Sequence, residues 1–199
     1  MAKTSPTLQE VFDSNRYDLN EAAKRSRSWY NQQVLLLSKQ GLTPQKMMKA
    51  DPSTMSATVL PGRLYMFFYD PKMKKELPYY DRFPLVFPFS KVEGGFLGLN
   101  MHYLPYPLRV QLLHRLMVFA NNTRLDQTTR LKYSWQMIDG ISRYAAAQPC
   151  VKHYLIDHVR SPFKQVYSKD WATAMLLPVE RFEKTTKEKV WIDTRRKLR

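Results

Sequence analysis

Catalysis needs a nucleophile, a proton carrier or a metal cage, and this chain offers few of the residues that build them. It has four histidines and one cysteine. His102 stands in a strand-like run, His114 in a helical run, and His153 and His158 in a stretch read as a short helix. His153 and Asp157, at i and i+4, would share a helical face and could turn toward one metal. No His-Glu-x-x-His pattern or second carboxylate at fixed spacing accompanies them. Asp81, Glu93, Asp126, Asp139 and Asp157 likewise lack the spacing of a metal nuclease, which needs converging acids. Cys150 follows Pro149 at an expected helix start, where a thiolate gains reactivity. With no base argued for it, it reads better as a small buried apolar residue. A lone cysteine also excludes an intrachain disulfide and a four-thiolate zinc site. Gly94-Gly95-Phe96-Leu97-Gly98 is glycine-rich, but it lacks the lysine of a phosphate loop and lies between strands. The residues therefore predict no catalytic group, no metal, no cofactor and no enzymatic activity.

A charged surface is the remaining chemistry. Lys and Arg number 32 against 17 Asp and Glu, a net charge of +15 in 199 residues. Such a surface concentrates polyanions around it, with an affinity that falls as salt rises. The expected nucleic-acid contacts are the basic clusters and their aromatic neighbours. They comprise Lys24, Arg25 and Arg27 near the start, Lys72, Lys74 and Lys75 on a charged turn, then Tyr79, Tyr80 and Arg82 in extended chain. Arg160 with Lys164, and Arg195, Arg196, Lys197 and Arg199 at the end, complete the set. Lysines neutralise phosphates while exposed tyrosines stack on bases. Asp81-Arg82 reads equally as an ion pair or as a carboxylate anchor for backbone. No zinc finger, helix-turn-helix, RRM motif or basic zipper is present, so double-stranded DNA would be held by its backbone rather than read.

The elements that must position these residues are of mixed type. Asp18-Leu19-Asn20-Glu21 fits a capping box for a helix to Ser38, with Ala22, Ala23, Ser26, Tyr30, Val34 and Leu37 on one face. Gly41 stops it. Thr43-Pro44 starts a short second helix, and Pro52 to Thr58 reads as linker. Arg63–Tyr69, Leu85–Phe89 and Phe96–Leu104 are strand-like, with Pro88 marking an edge or an end. Tyr65, Phe67 and Tyr69 alternate with Met66 and Phe68, so both faces of that strand should be covered. Helical stripes follow: Leu108, Leu112, Leu116 and Phe119, flanked by Arg109, and then Leu131, Trp135, Ile138, Ile141 and Ala145 behind an Asp126 or Thr128 cap. Val151–His158 reads as a shorter helix. Ser168 would cap a helix ended by Pro178, and a charge-dense helix or arm closes the chain. This pattern predicts an α+β fold, a three-stranded antiparallel sheet packed with a mainly helical N-terminal arm and C-terminal half. The expected divisions are residues 1–58, 59–178 and 179–199. No apolar run is long enough to span a membrane, and no secretory leader is expected.

Three runs carry a family resemblance: Pro61-Gly62-Arg63-Leu64-Tyr65-Met66-Phe67, Leu77-Pro78-Tyr79-Tyr80-Asp81-Arg82-Phe83-Pro84-Leu85, and Gly95-Phe96-Leu97-Gly98-Leu99-Asn100-Met101-His102-Tyr103-Leu104-Pro105. Arg160-Ser161-Pro162-Phe163 and Leu177-Pro178-Val179-Glu180-Arg181-Phe182 extend it. In these, the chain after Val59 resembles a virion family of large contractile-tailed phages of the T-even type, DNA end protectors or related head-completion proteins. The resemblance implies binding to DNA ends at the head or neck, shielding the genome terminus from host exonuclease. It implies a location in the virion, and in host cytoplasm during assembly. It assigns no role to an individual residue. Against it stands a second reading, a neck, tail or baseplate structural protein whose basic surface meets acidic virion subunits.

Overall fold

A computed structural model describes residues 8–15, 19–49 and 51–197. In chain order it forms helices α1 (Leu8–Ser14), α2 (Leu19–Ala23), α3 (Arg27–Ser38) and α4 (Pro44–Lys49), followed by strands β1 (Met55–Ser56), β2 (Leu64–Met66), β3 (Tyr80–Asp81), β4 (Leu85–Val92) and β5 (Gly95–Asn100). Then come α5 (Tyr106–Ala120), α6 (Gln127–Ser142), β6 (Val151–Leu155), β7 (Phe163–Val166), α7 (Trp171–Ala174), β8 (Phe182–Glu183) and α8 (Lys187–Arg196). The fold is α+β. Its main sheet is antiparallel with six strands in the order β1-β7-β2-β4-β5-β6, and β3 pairs separately with β8.

The sheet is larger than the expected three strands. Val151–Leu155, expected as helix, is strand β6, paired with β5 from Gly95↔Leu155 to Leu99↔Val151. Its apolar residues suit either period, and the neighbouring strand decides. His153 and Asp157 therefore share no helical face. Met55–Ser56, expected as linker, pairs with β7 at the sheet edge, Met55 opposite Lys164. Pro88 neither ends β4 nor marks an edge. The strand runs on to Val92 because its register with β5 shifts between Pro88 and Ser90, so the proline sits at a bulge that needs no N–H. The third expected strand stops early. The Asn100 side chain accepts from the His102 N–H at 2.9 Å and turns residues 101–103 into a 3-10 helix.

The first helix also divides. Ser26, expected on its buried face, instead caps α3 by accepting from the Trp29 N–H. Asp18, the expected cap, lies outside the described residues. Tyr30 and Leu37 are buried as expected, and the Tyr30 hydroxyl donates to the Ala22 carbonyl at 2.6 Å. Thr43 caps α4 and Asp126 caps α6, each through its side-chain oxygen. On α6 only Ile138 of the expected stripe is buried. Trp135 stays at the surface and donates its indole N–H to the Phe89 carbonyl at 2.7 Å. The helix expected from Ser168 is a 3-10 turn leading into four-residue α7.

Both faces of the sheet are apolar, as the alternation in β2 predicts. One face packs with the helices: Leu64, Met66, Leu85, Phe87 and Leu99 join Leu113, Leu116, Ile138 and Val190, together with Val11, Phe12 and Met47 from the N-terminal helices. The other gathers Tyr65, Phe67, Tyr69, Val86, Phe96, Tyr154 and Phe163. Phe67 lies at its centre, with edge-on ring contacts at 5.0 Å to Phe163 and 5.3 Å to Tyr154.

The apolar stripe of α5 is rotated from the expected one. It comprises Tyr106, Val110, Leu113 and Leu116, and it includes Arg109, expected to flank it in water but fully buried. The Arg109 guanidinium donates to the carbonyls of Leu104 (2.6 Å), His102 (3.1 Å) and Met175 (3.2 Å). The buried Glu180 carboxylate approaches it at 2.6 Å without hydrogen-bond alignment, so Coulomb attraction dominates the pair. Burial alone would raise the Glu180 carboxyl, but Arg109, with His102 and Lys187, brings it down to about 2.

This core can be tested at two positions. Leu116→Ala empties a fully buried site and should lower the unfolding free energy by about 2–5 kcal/mol, read from the urea midpoint. An unchanged midpoint would refute this placement. Glu180 lies below its ordinary value of 4.5, so its share of stability is complete above that value and lost as pH falls toward 2. The thermal midpoint of the native protein should drop steeply between pH 5 and pH 2. Glu180→Gln should start lower at neutral pH, with Arg109 unpaired, and fall less over that interval. Parallel acid profiles would contradict the assignment.

Candidate nucleic-acid interface

Four of the expected contact residues meet at one end of the sheet. Beyond β2 the chain continues through Phe67–Asp70 between two other segments. The Tyr69 N–H donates to the Arg82 carbonyl at 3.0 Å, and the Asp70 N–H to the His158 carbonyl at 3.0 Å. The Arg160 N–H donates to the Phe68 carbonyl at 2.8 Å, and the Phe68 N–H to the Ser161 hydroxyl at 2.9 Å. Three segments distant in sequence are thereby clasped. They line an open cleft of about 510 Å³ in which Lys74, Tyr80, Arg82 and Arg160 converge with Asp70 and Glu183.

Two of the three cations are matched in place. Lys74 Nζ lies 2.9 Å from Asp70 Oδ2, and Arg82 Nη1 lies 3.0 Å from Glu183 Oε1. The hydrogen bond from Lys74 holds the Asp70 carboxyl below its ordinary value, with Arg160 and His158 adding to the pull. The hydrogen bond with Glu183 raises the Arg82 guanidinium in turn. Arg160 donates to the Asp157 carbonyl at 2.9 Å and forms no ion pair among the described residues. Exposed pairs of this kind contribute only about 0–1 kcal/mol, so a phosphate can take the place of either carboxylate. Tyr80 supplies a ring in the same cleft.

The cleft hangs on Asp81, the buried neighbour of Arg82. Its Oδ1 accepts from the N–H groups of Phe83 (3.0 Å) and Arg181 (3.3 Å), and its Oδ2 meets Asn100 Nδ2 (3.1 Å) and His102 Nδ1 (2.8 Å). Of the two readings of Asp81-Arg82 the backbone anchor holds: Asp81 accepts from backbone N–H groups, while Arg82 pairs with Glu183 instead of Asp81. Arg109 and Glu180 do not stand out in the sequence as functional groups, and His102 does so only by residue type. The signal for Arg109 is that a cation three residues after Tyr106 keeps step with Val110, Leu113 and Leu116.

The other expected contacts lie elsewhere. Lys72 and Lys75 are exposed on the turn beside Lys74, and Lys184 Nζ braces that turn by donating to the carbonyls of Lys75 (3.0 Å) and Leu77 (2.9 Å). Lys24 and Arg25 lie 3.6 and 3.7 Å from Glu21 at the α2–α3 corner, where Arg27 is exposed. Arg195, Arg196 and Lys197 are exposed at the end of α8, where cations suit the helix dipole. Thr194 beside them is buried and donates to the Tyr103 carbonyl at 3.0 Å, while Trp191 donates to that of His102 at 2.9 Å. Arg199 lies outside the described residues.

Two expectations are corrected. Lys164 is buried, its ammonium held by Thr54 Oγ1 at 2.7 Å and the Asp51 carbonyl at 3.4 Å, so it is not a surface cation. Its alternation within β7 turns it inward. Tyr79 is no free stacking platform, because its ring packs against Tyr103 (6.1 Å) and Phe182 (6.5 Å) and burial raises its hydroxyl. Cys150 is buried, and burial pushes its thiol up to about 12. Among the described residues, no group of three or more His, Cys, Asp or Glu is placed to hold a metal, and no helix is long and apolar enough to cross a membrane.

The family model described as Phage T4 terminal DNA protecting protein matches residues 14–194. The chain belongs to that family. No curated protein and no solved structure matches it.

The anchor beneath the cleft gives a direct prediction. Asp81→Ala removes the acceptor that the Phe83 and Arg181 N–H groups, the Asn100 amide and the buried His102 ring share and should destabilise the protein by about 3–5 kcal/mol. Equilibrium urea unfolding measures it, and a change below about 1 kcal/mol, the net worth of one ordinary hydrogen bond, would show that Asp81 anchors nothing.

Proposed function

We propose that this member of the terminal DNA protecting family acts at the head–neck region of the virion as a non-enzymatic protein gripping double-stranded DNA at or near its ends. The observation that carries the reading is the cleft, where Arg82, Lys74 and Arg160 stand around Tyr80 on a chain of net charge +15. Phosphates displace Asp70 and Glu183 from their partners, and Arg160 adds a charge with no carboxylate of its own. The turn lysines Lys72 and Lys75 extend the contact. Arg195, Arg196 and Lys197 form a second foothold on the backbone, with the α2–α3 corner a third. Each neutralises phosphates without reading bases. Bound over a terminus, such a protein denies an exonuclease its starting point. It would enter the particle from the host cytoplasm during head completion.

One observation favours contact with virion subunits as well. Leu35 and Leu36 lie side by side on α3 at 56% and 51% exposure, apolar surface suited to a protein neighbour. On that reading the basic surface meets an acidic neck, tail or baseplate subunit instead of DNA.

A gel-shift titration of blunt linear duplex against closed circles, repeated across a salt series, decides between them. The DNA reading expects preference for linear molecules and a linear fall of log affinity with log salt. Equal retention of circles, or affinity indifferent to salt, would overturn it. Substituting Arg195, Arg196 and Lys197 together by Gln, which spares the buried Thr194, should leave the thermal midpoint unchanged. The salt slope should shrink by about 0.9 for each phosphate that these side chains no longer neutralise. An unaltered slope would remove this foothold.

A further inference from the structure

The strand that leads into the cleft opens at its other end onto a second pocket of opposite character. Arg63 precedes β2 and Phe68 follows it, a separation of about 16 Å along extended chain. The second pocket, of about 160 Å³, lies between the Gly62-Arg63 turn, the start of α6 and the chain after β7. Its described lining includes two guanidinium groups, Arg63 and Arg130, and no carboxylate. In the cleft, by contrast, Asp70 and Glu183 answer two of the cations.

We propose that this pocket receives the terminal phosphate monoester of a DNA strand, a reading that rests on DNA-end binding as proposed above. The space is wide enough for a tetrahedral phosphate with part of its hydration shell. Charge selects among phosphates. A terminal monoester carries about −1.5 to −2 at neutral pH, against −1 for each internal diester, and two guanidinium groups match it. Their planar forks suit phosphate oxygens. Arg63 is held in place by donating Nη1 to Gln165 Oε1 at 3.0 Å. Arg130 Nε is buried with no acceptor among the described residues, a donor that is costly to leave unmade. Gln127 and Ser134 of α6 line the same space as neutral polar groups.

The backbone explains why the two arginines meet. Gly62 has φ +82, and a Cβ there would lie 2.8 Å from the Leu131 carbonyl oxygen. Only glycine lets the Arg63 turn come this close to α6. The pocket thus distinguishes a strand terminus from interior DNA by charge, which the open cleft cannot do.

The test uses the full chain and fluorescence anisotropy with one blunt duplex in three forms: 5′-phosphorylated, 3′-phosphorylated and bearing hydroxyls only. Inorganic phosphate is titrated separately by calorimetry. One phosphorylated form should bind about tenfold or more tightly than the hydroxyl form, as charge-assisted hydrogen bonds would give. Arg130→Gln and Arg63→Gln should each erase that ratio, whereas Arg160→Gln should weaken all three forms alike. Two substitutions on different elements guard against a folding defect in one. Preference for ends regardless of phosphorylation would leave end binding standing and overturn the pocket's occupant. No preference for linear DNA over circles would fail both readings. Binding of inorganic phosphate, abolished in Arg130→Gln but without discrimination among the three duplexes, would assign the pocket to a free anion and also overturn the proposal.

Discussion

The buried Arg109 guanidinium is the constraint around which the rest of the molecule is arranged. A charge in a low-dielectric interior is tolerated only when its donors are met and its charge is answered. Here the carbonyls of Leu104, His102 and Met175 meet the donors and Glu180 answers the charge. The guanidinium also lies 4.6 Å from the Tyr106 ring centre and 5.6 Å from that of Trp191. One side chain of α5 therefore fixes the turn after β5, the end of α7, the segment entering β8 and the face of α8. An apolar residue in its place would fill the space but would specify none of these positions.

That constraint reaches the candidate cleft through a short covalent path. Glu180 is followed by Arg181, Phe182 and Glu183, so fixing the buried carboxylate sets the position of β8. Arg181 receives the Arg82 N–H at 2.8 Å and gives its own to Asp81. Glu183 pairs with the Arg82 side chain. The position of the Arg82 cation is thus determined three residues from a core ion pair, on a two-stranded ribbon that would be marginal by itself. Asp81 performs the complementary task from β3 by linking that ribbon to Asn100 and His102.

The parts legible in the sequence are those set by local chemistry. Asp126 and Thr43 cap their helices because a short oxygen-bearing side chain before a helical run meets its free N–H groups. The alternation of Tyr65, Phe67 and Tyr69 with Met66 and Phe68 declares two covered faces. The parts that were not legible depend on distant partners. Val151–Leu155 has apolar residues that fit a helix until β5 lies beside it. Arg109 looks solvated until Glu180, seventy-one residues later, is known to share its cavity. Lys164 reads as a surface cation until Thr54 is placed against it. The candidate cleft divides the same way. Lys74, Tyr80, Arg82 and Arg160 stood out by residue type, but their convergence needs the clasp of segments 67–70, 80–82 and 158–161.

The cleft and the smaller pocket arrange the same residue types in different ways. An open basic cleft on a chain this positive would repel itself before its ligand arrived. Asp70 and Glu183 limit that repulsion by holding Lys74 and Arg82, and at the surface the pairs are weak enough to exchange for phosphates. The described lining of the smaller pocket holds no carboxylate, and Arg63 is positioned there by a neutral hydrogen-bonding partner, Gln165. Exchangeable pairing suits a backbone that can be gripped anywhere along its length. Two guanidinium groups with no carboxylate in the described lining suit a single, more highly charged group that occurs once per strand. A surface built from both would hold DNA through its many identical phosphates and recognise where the strand stops by the one that differs.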